Sequence, residues 1–209
     1  MMPRHGEPAI EARKRLASRL RGFARYGQDA AFLPRFLEAL DADYSLASKA
    51  AATDGLEELF LEMLARLVSA FGSVSGSRGK RILDLACGSS TSRAPGGREG
   101  YSALFEPWLC RILHASGASA VGVDIGDLSG EAFESYRLDL SQAGALDFLP
   151  GASFDAVHDG RLFGSPEFTA RFADRGSVYR IATEIRRQEL RLLKPGGEII
   201  HSDAGELVG

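Results

Sequence analysis

The residues best suited to chemistry in this sequence stand at the ends of short apolar runs. "RILDLACGSS" places Asp84 inside a run that otherwise reads as a buried strand, then switches to Ala86, Cys87, Gly88, Ser89 and Ser90. "SAVGVD" closes on Asp124, "YRLDL" on Asp139 and Leu140, and "FDAVHDGR" on His158, Asp159 and Arg161. In a parallel α/β sheet, ligands sit beyond the carboxyl ends of the strands. Small residues after the first strand let the backbone approach such a ligand closely. An acidic side chain closing the second strand can accept hydrogen bonds from both hydroxyls of a ribose.

The rest of the ligand follows by elimination. Neither G-x-G-x-x-G nor G-x-x-x-x-G-K-[ST] occurs, and "PGGREG" at 95–100 has glycines but no preceding strand and no Lys-Ser/Thr. A carboxylate at the end of the first strand would repel a pyrophosphate and suit a cation. A nicotinamide oxidoreductase is therefore disfavoured. S-adenosylmethionine, with an adenosine, a sulfonium, an amino group and no phosphate, fits the pattern. Two cysteines, Cys87 and Cys110, make neither a disulfide framework nor a four-cysteine zinc site, and no clustered ligand spacing suggests a metal.

Elements that hold these residues in place are legible from periodicity. Residues 1–79 read as helical: an amphipathic helix over Ile10–Arg25, short helices through "FLPRFLEALDADYSLASKAA" with Pro34 tolerable only near a helix start, and a clear helix from Leu56 to Phe71 stopped by Gly72. From Lys80 onward the apolar strands "RILDLA", "SAVGVD", "ESYRLD", "SFDAVH" and "GEIIHS" alternate with helical or loop segments, which implies a parallel sheet covered by helices. A helix over "SVYRIATEIRRQELRLL" is expected to close on a "KPGG" turn. The expected organisation is a helical N-terminal extension or lid, 1–79, and a Rossmann-like domain, 80–209.

Residues 80–202 resemble the class I S-adenosylmethionine-dependent methyltransferases. "ILDLACGSS" is similar to their first motif and "AVGVDIGDL" to the second. "YRLDLSQAGALDFLPGASFDAVHD" resembles the third-strand aspartate and fourth-strand "FDxV", and "LLKPGGEIIHSD" the "LKPGG" element before the fifth strand. Four such motifs in order over about 120 residues make a specific signal. The resemblance implies that Asp84 helps orient the methionine end of the cofactor, directly or through water, that Ala86 and Gly88 let the backbone pass beneath it, and that Asp124 holds the ribose with Ile125 against the adenine. It further implies Asp139 and Leu140 at the exocyclic amine and Asp159 at the amino group, facing the transferred methyl. The implied activity is methyl transfer to a small-molecule acceptor, with His158 or Asp159 as candidate base, although His158 also reads as the plain end of the fourth strand. Tyr101, Trp108 and Arg161 are candidate acceptor contacts, and the N-terminal helices would roof the acceptor site.

Departures from the family pattern shape the remaining expectations. Ala86 and Ser90 occupy positions where the motif prefers glycine. Asp84 and Asp124 stand 40 residues apart, against about 20 in a compact dinucleotide-binding unit. The surplus, "TSRAPGGREGYSALFEPW", reads as an ordered flap followed by a helix beginning near Glu106, with Pro107 in its first turn. The last two strands of the usual seven-stranded sheet are expected to be absent, so that the N-terminal helices or a second copy of the chain, in a homodimer, would cover the edge. That expectation motivates a second reading, a cofactor-binding or regulatory protein without turnover. Six cations between Arg13 and Arg25 motivate a third, an RNA methyltransferase, against which a solvated helix face and a net charge of −3 both argue. No apolar segment suggests export or a membrane span, and the expected location is the cytoplasm.

Overall fold

Strands buried on both faces must be apolar almost throughout, and "RILDL", "SAVGVD" and "FDAVH" come close to that demand, whereas "ESYR" and "LKPGGEII" are partly exposed and more polar. The computed structural model describes residues 7–25, 29–90, 102–160, 162–163, 165–172 and 174–200. There the runs form β1 (Arg81–Leu85), β2 (Ser119–Asp124), β3 (Glu134–Arg137), β4 (Phe154–His158) and β5 (Leu193–Ile200). Their order is β3-β2-β1-β4-β5, with every neighbouring pair parallel. The chain lays β1 at the centre, moves outward to β3, then crosses back to β4. Its winding therefore reverses between β1 and β4, where a doubly wound sheet opens its crevice. The fold is Rossmann-like α/β, as expected, with five strands among the described residues.

Two cores flank the sheet. One face sends Ile82, Ala120 and Ala156 into a cluster with Cys110, Ile112 and Leu113 of α5 (Trp108–Ser116). The other sends Leu83, Val121, Val123 and Val157 against Leu146, Leu149 and the helices α6 (Pro166–Arg171) and α7 (Arg175–Leu192). The N-terminal helices α1 (Glu7–Leu20), α2 (Asp29–Tyr44), α3 (Leu46–Ala52) and α4 (Leu56–Phe71) join the first cluster, so Leu16, Phe36, Phe60 and Leu64 are continuous with the α5 side of the sheet. Buried Asp29 ties α2 to the stretch before β1 by accepting the amides of Val74 and Ser75 at 2.9 and 3.0 Å.

Several boundaries differ from the periodicity reading, each for a local reason. The first helix ends at Leu20, because the chain turns at Gly22, whose amide bonds the Arg19 carbonyl. Pro34 lies inside α2, past its first turn, where the helix does without one internal hydrogen bond. Gly72 ends α4 as expected, at φ 76° with its amide on the Val68 carbonyl. Pro107 immediately precedes α5. Most distinctly, "KPGG" is part of β5, not a turn before it. Leu193 already pairs with Phe154, and the strand bulges before Glu198 pairs with Ala156.

The basic face of α1 meets acids. Arg13 lies 3.8 Å from both Glu38 and Asp41, Arg15 bonds Glu57, Arg19 bonds Glu58 at 2.9 Å, and Lys14 bonds Glu11 at 2.8 Å. The pairs of Arg13, Arg15 and Arg19 tie α1 to α2 and α4. No helix among the described residues is long and apolar enough to cross a membrane.

Candidate functional site

The carboxyl ends of β1, β2 and β4 bring Asp84, Asp124, His158 and Asp159 to one edge of the sheet, but in very different settings. Asp124, 8% exposed, closes β2. Its Oδ2 accepts the Gly88 amide at 2.9 Å and its Oδ1 the Gly126 amide at 2.7 Å. Ile125 beside it is exposed. The loop it holds is tight: Ala86 adopts φ 56° and Gly88 φ 91°. A Cβ on Gly88 would stand 2.2 Å from the Phe105 carbonyl oxygen, so only glycine lets the 103–105 turn close on the loop.

Asp84 is sealed. It is 2% exposed and pairs in register with His158 across β1 and β4, so both side chains leave the same face. Its Oδ1 lies 2.7 Å from His158 Nδ1, and its Oδ2 lies 3.6 Å from the Cys110 thiol. On the far side of the imidazole, Nε2 meets Arg66 Nη1 of α4 at 3.1 Å, and Arg66 also bonds Glu62. Burial pushes the Cys87 thiol up to about 11 and that of Cys110 well above its ordinary value, which leaves both as packed thiols at neutral pH.

Asp139 stands beyond β3. Partial burial pushes its carboxyl up, but Arg171 at 2.8 Å and the Ser141 hydroxyl and amide at 2.6 and 3.0 Å outweigh that and hold it at about 2. Leu140 next to it is buried in the α7-side core. Asp159 faces a residue that no sequence motif signals, Glu189 of α7. Glu189 is 1% exposed, with Arg186 at 3.2 Å on Oε2 and no hydrogen-bond partner at Oε1. Burial first, and the Asp159 charge second, raise it to about 7. The only hint in the sequence is position, since Ile185, Gln188, Glu189 and Leu192 share the buried stripe of α7.

Trp108 lies in the core and not on a pocket wall. It is fully buried, donates its indole N–H to the Ala103 carbonyl at 2.6 Å and stacks beneath the Arg111 and Lys49 cations. Arg111 in turn forks onto Glu131 at 2.6 and 3.0 Å and bonds Glu106, which also takes Lys49 at 2.6 Å. A cavity of about 280 Å³ opens beside this network, lined by Tyr44, Lys49, Arg111, Ser129, Gly130 and Glu131 among others. Tyr101 and Arg161 lie outside the described residues. No group of three or more potential metal ligands occurs among the described residues.

The donor set fits an adenosine ligand at one end. There the Asp124 carboxylate, an acceptor, and the exposed apolar side chain of Ile125 stand side by side, next to the tight turn at Ala86–Gly88. It does not fit a direct contact from Asp84, whose oxygens face His158 and Cys110.

No protein-family model and no curated protein matches the chain. Among solved structures it is similar to 1,6-didemethyltoxoflavin-N1-methyltransferase of Burkholderia thailandensis, crystallised with 1,6-didemethyltoxoflavin and S-adenosylhomocysteine. That match has 14% identity and a TM-score of 0.39, and covers 95% of this chain and 64% of that one. A second is the trans-methyltransferase CalH in complex with SAH, at 15% identity and a TM-score of 0.39, covering 92% and 52%. A third is the CurJ carbon methyltransferase, at 14% and 0.38, covering 88% and 49%. All three are methyltransferases. The chain spans between about half and two thirds of their lengths.

Proposed function

We propose that this chain belongs with the class I methyltransferases, binds S-adenosylmethionine and transfers its methyl group to a small-molecule acceptor. The observation that carries this reading is the end of β2. Asp124 holds the amide of Gly88, in the tight loop after β1, at the crevice side of a β3-β2-β1-β4-β5 sheet that has no phosphate loop. Asp124 accepts the ribose hydroxyls, Ile125 packs on the adenine, and Ala86–Gly88 supply close backbone approach to the methionine end. Asp139 and Leu140 flank the far side of the base.

When bound, the cofactor supplies a methyl made electrophilic by its sulfonium. The protein's work is then alignment and exclusion of water. An acceptor that loses a proton needs a base. His158 Nε2 is already taken by the Arg66 guanidinium, so the role falls to Asp159, with Glu189 behind it as a second proton-holding group. Titration calorimetry with S-adenosylmethionine and S-adenosylhomocysteine tests the reading. The expected result is a single site, weakened by Asp124→Asn; no heat at millimolar ligand would overturn it.

A further inference from the structure

The Asp84–His158 pair is the inner part of a longer chain of side chains: Glu62 and Arg66 of α4, then His158 of β4, Asp84 of β1 and Cys110 of α5. It runs from the N-terminal helices to the centre of the sheet. A guanidinium has donors only, so Arg66 must meet a lone pair at His158 Nε2. The ring proton then sits on Nδ1 and is donated to Asp84 Oδ1. Asp84 alone already requires the proton on Nδ1; Arg66 holds the Nε2 end and with it the orientation of the imidazole.

The backbone is built around this ring. A Cβ on Gly160 would fall 2.4 Å from His158 Cε1 and Nε2 and 3.0 Å from Arg66 Nη1, so the turn after β4 lies directly against the imidazole and the guanidinium. Asp84 is two residues before Ala86, where the loop after β1 enters its left-handed turn. The two loops that border the crevice between β1 and β4 therefore begin at the two ends of one buried hydrogen bond.

We propose that Arg66 is a positioning residue for these loops, acting from α4 through the His158–Asp84 pair to set the geometry of the turns at Ala86–Gly88 and Asp159–Gly160. The effect on cofactor affinity rests on the function proposed above; the tautomer and the loop geometry do not.

Long-range ¹H–¹⁵N correlation on the full chain reads the histidine tautomers. His158 is expected as the Nδ1–H form. Arg66→Met keeps the aliphatic stem but not the donor. Its expected result is a changed His158 Nε2 resonance, as that lone pair loses its donor, and an amide shift at Gly88, beyond the direct contact that Arg66 makes at Gly160. Arg66→Lys, which retains a donor at Nε2, restores both. For S-adenosylhomocysteine, Arg66→Met is expected to weaken binding by about two- to thirtyfold, the usual span for a substitution along a coupled network. An Nε2–H tautomer in the wild type, or Arg66→Met shifts confined to α4 and its direct contact at Gly160, overturns the proposal. The Nδ1–H tautomer in the wild type and the Gly88 shift in Arg66→Met, in a wild type that binds no S-adenosylhomocysteine, uphold the positioning role and overturn the cofactor reading instead.

Discussion

The ends of β1 and β2 carry the same residue type, sit side by side in the sheet and do opposite things. Asp84 turns inward to a histidine and a thiol, whereas Asp124 turns to the amides of the loops that border the crevice. What separates them is the neighbour in register. Asp84 stands between Gly122 and His158, while Asp124 ends its strand at the sheet's edge beside Arg137 of β3. An aspartate after an apolar run is thus turned into the core or toward the loops according to what the adjacent strand presents.

The sharpest way to break this comparison is to remove each carboxylate in turn. Asp84→Ala leaves a buried imidazole N–H without an acceptor and should cost about 3–5 kcal/mol of stability, read by urea unfolding. Asp124→Ala should cost about 1–2 kcal/mol and show its main effect in calorimetry with S-adenosylhomocysteine. Equal losses of stability would remove the distinction between anchor and ligand contact.

Gly88→Ala tests the loop between them. Its Cβ would meet the Phe105 carbonyl oxygen at 2.2 Å, at a φ of +91°. Overpacking and backbone strain together should cost about 3 kcal/mol, visible as a lower midpoint in thermal unfolding.

Glu189 sharpens the comparison from the other face of the sheet, where one buried carboxylate faces Asp159 and Arg186 and has no histidine partner. Its folded value of about 7 lies above the usual 4.5, so the folded state holds the proton more tightly. The associated stability is present below about pH 4.5 and is lost as pH rises through about 7. Unfolding free energy should fall between pH 5 and 8 by on the order of 2–3 kcal/mol. Glu189→Gln should flatten that fall and leave the protein more stable than wild type at pH 8.

Ala86→Gly has the smallest effect. It relieves a left-handed alanine at φ 56° but loosens the unfolded chain, for a net gain of about 0.5–1 kcal/mol. Ala86→Val, with a branched side chain at the same angle, should destabilise in the same thermal assay.

Much of the fold was written in local pattern. Alternating apolar runs and helical periods place all five strands and the helix Leu56–Phe71, because burial of a strand or a helix stripe demands a recognisable period in the chain itself. The acids at the strand ends were legible for the same reason: each interrupts or closes a run that should be apolar. Pairing across the sheet was not. That Asp84 faces His158, 74 residues away, that Arg66 of an N-terminal helix completes the pair, and that Glu189 waits behind Asp159 depend on register and helix docking. Trp108 shows the same limit. Its place near a glycine-rich insertion suggested a pocket wall, while packing under Lys49 and Arg111 made it core. Local sequence determines which groups are polar and where along an element they fall. Which of them meet, and so whether a carboxylate turns inward to a histidine or outward to the loops, was decided only when residues 74 apart in sequence came into contact.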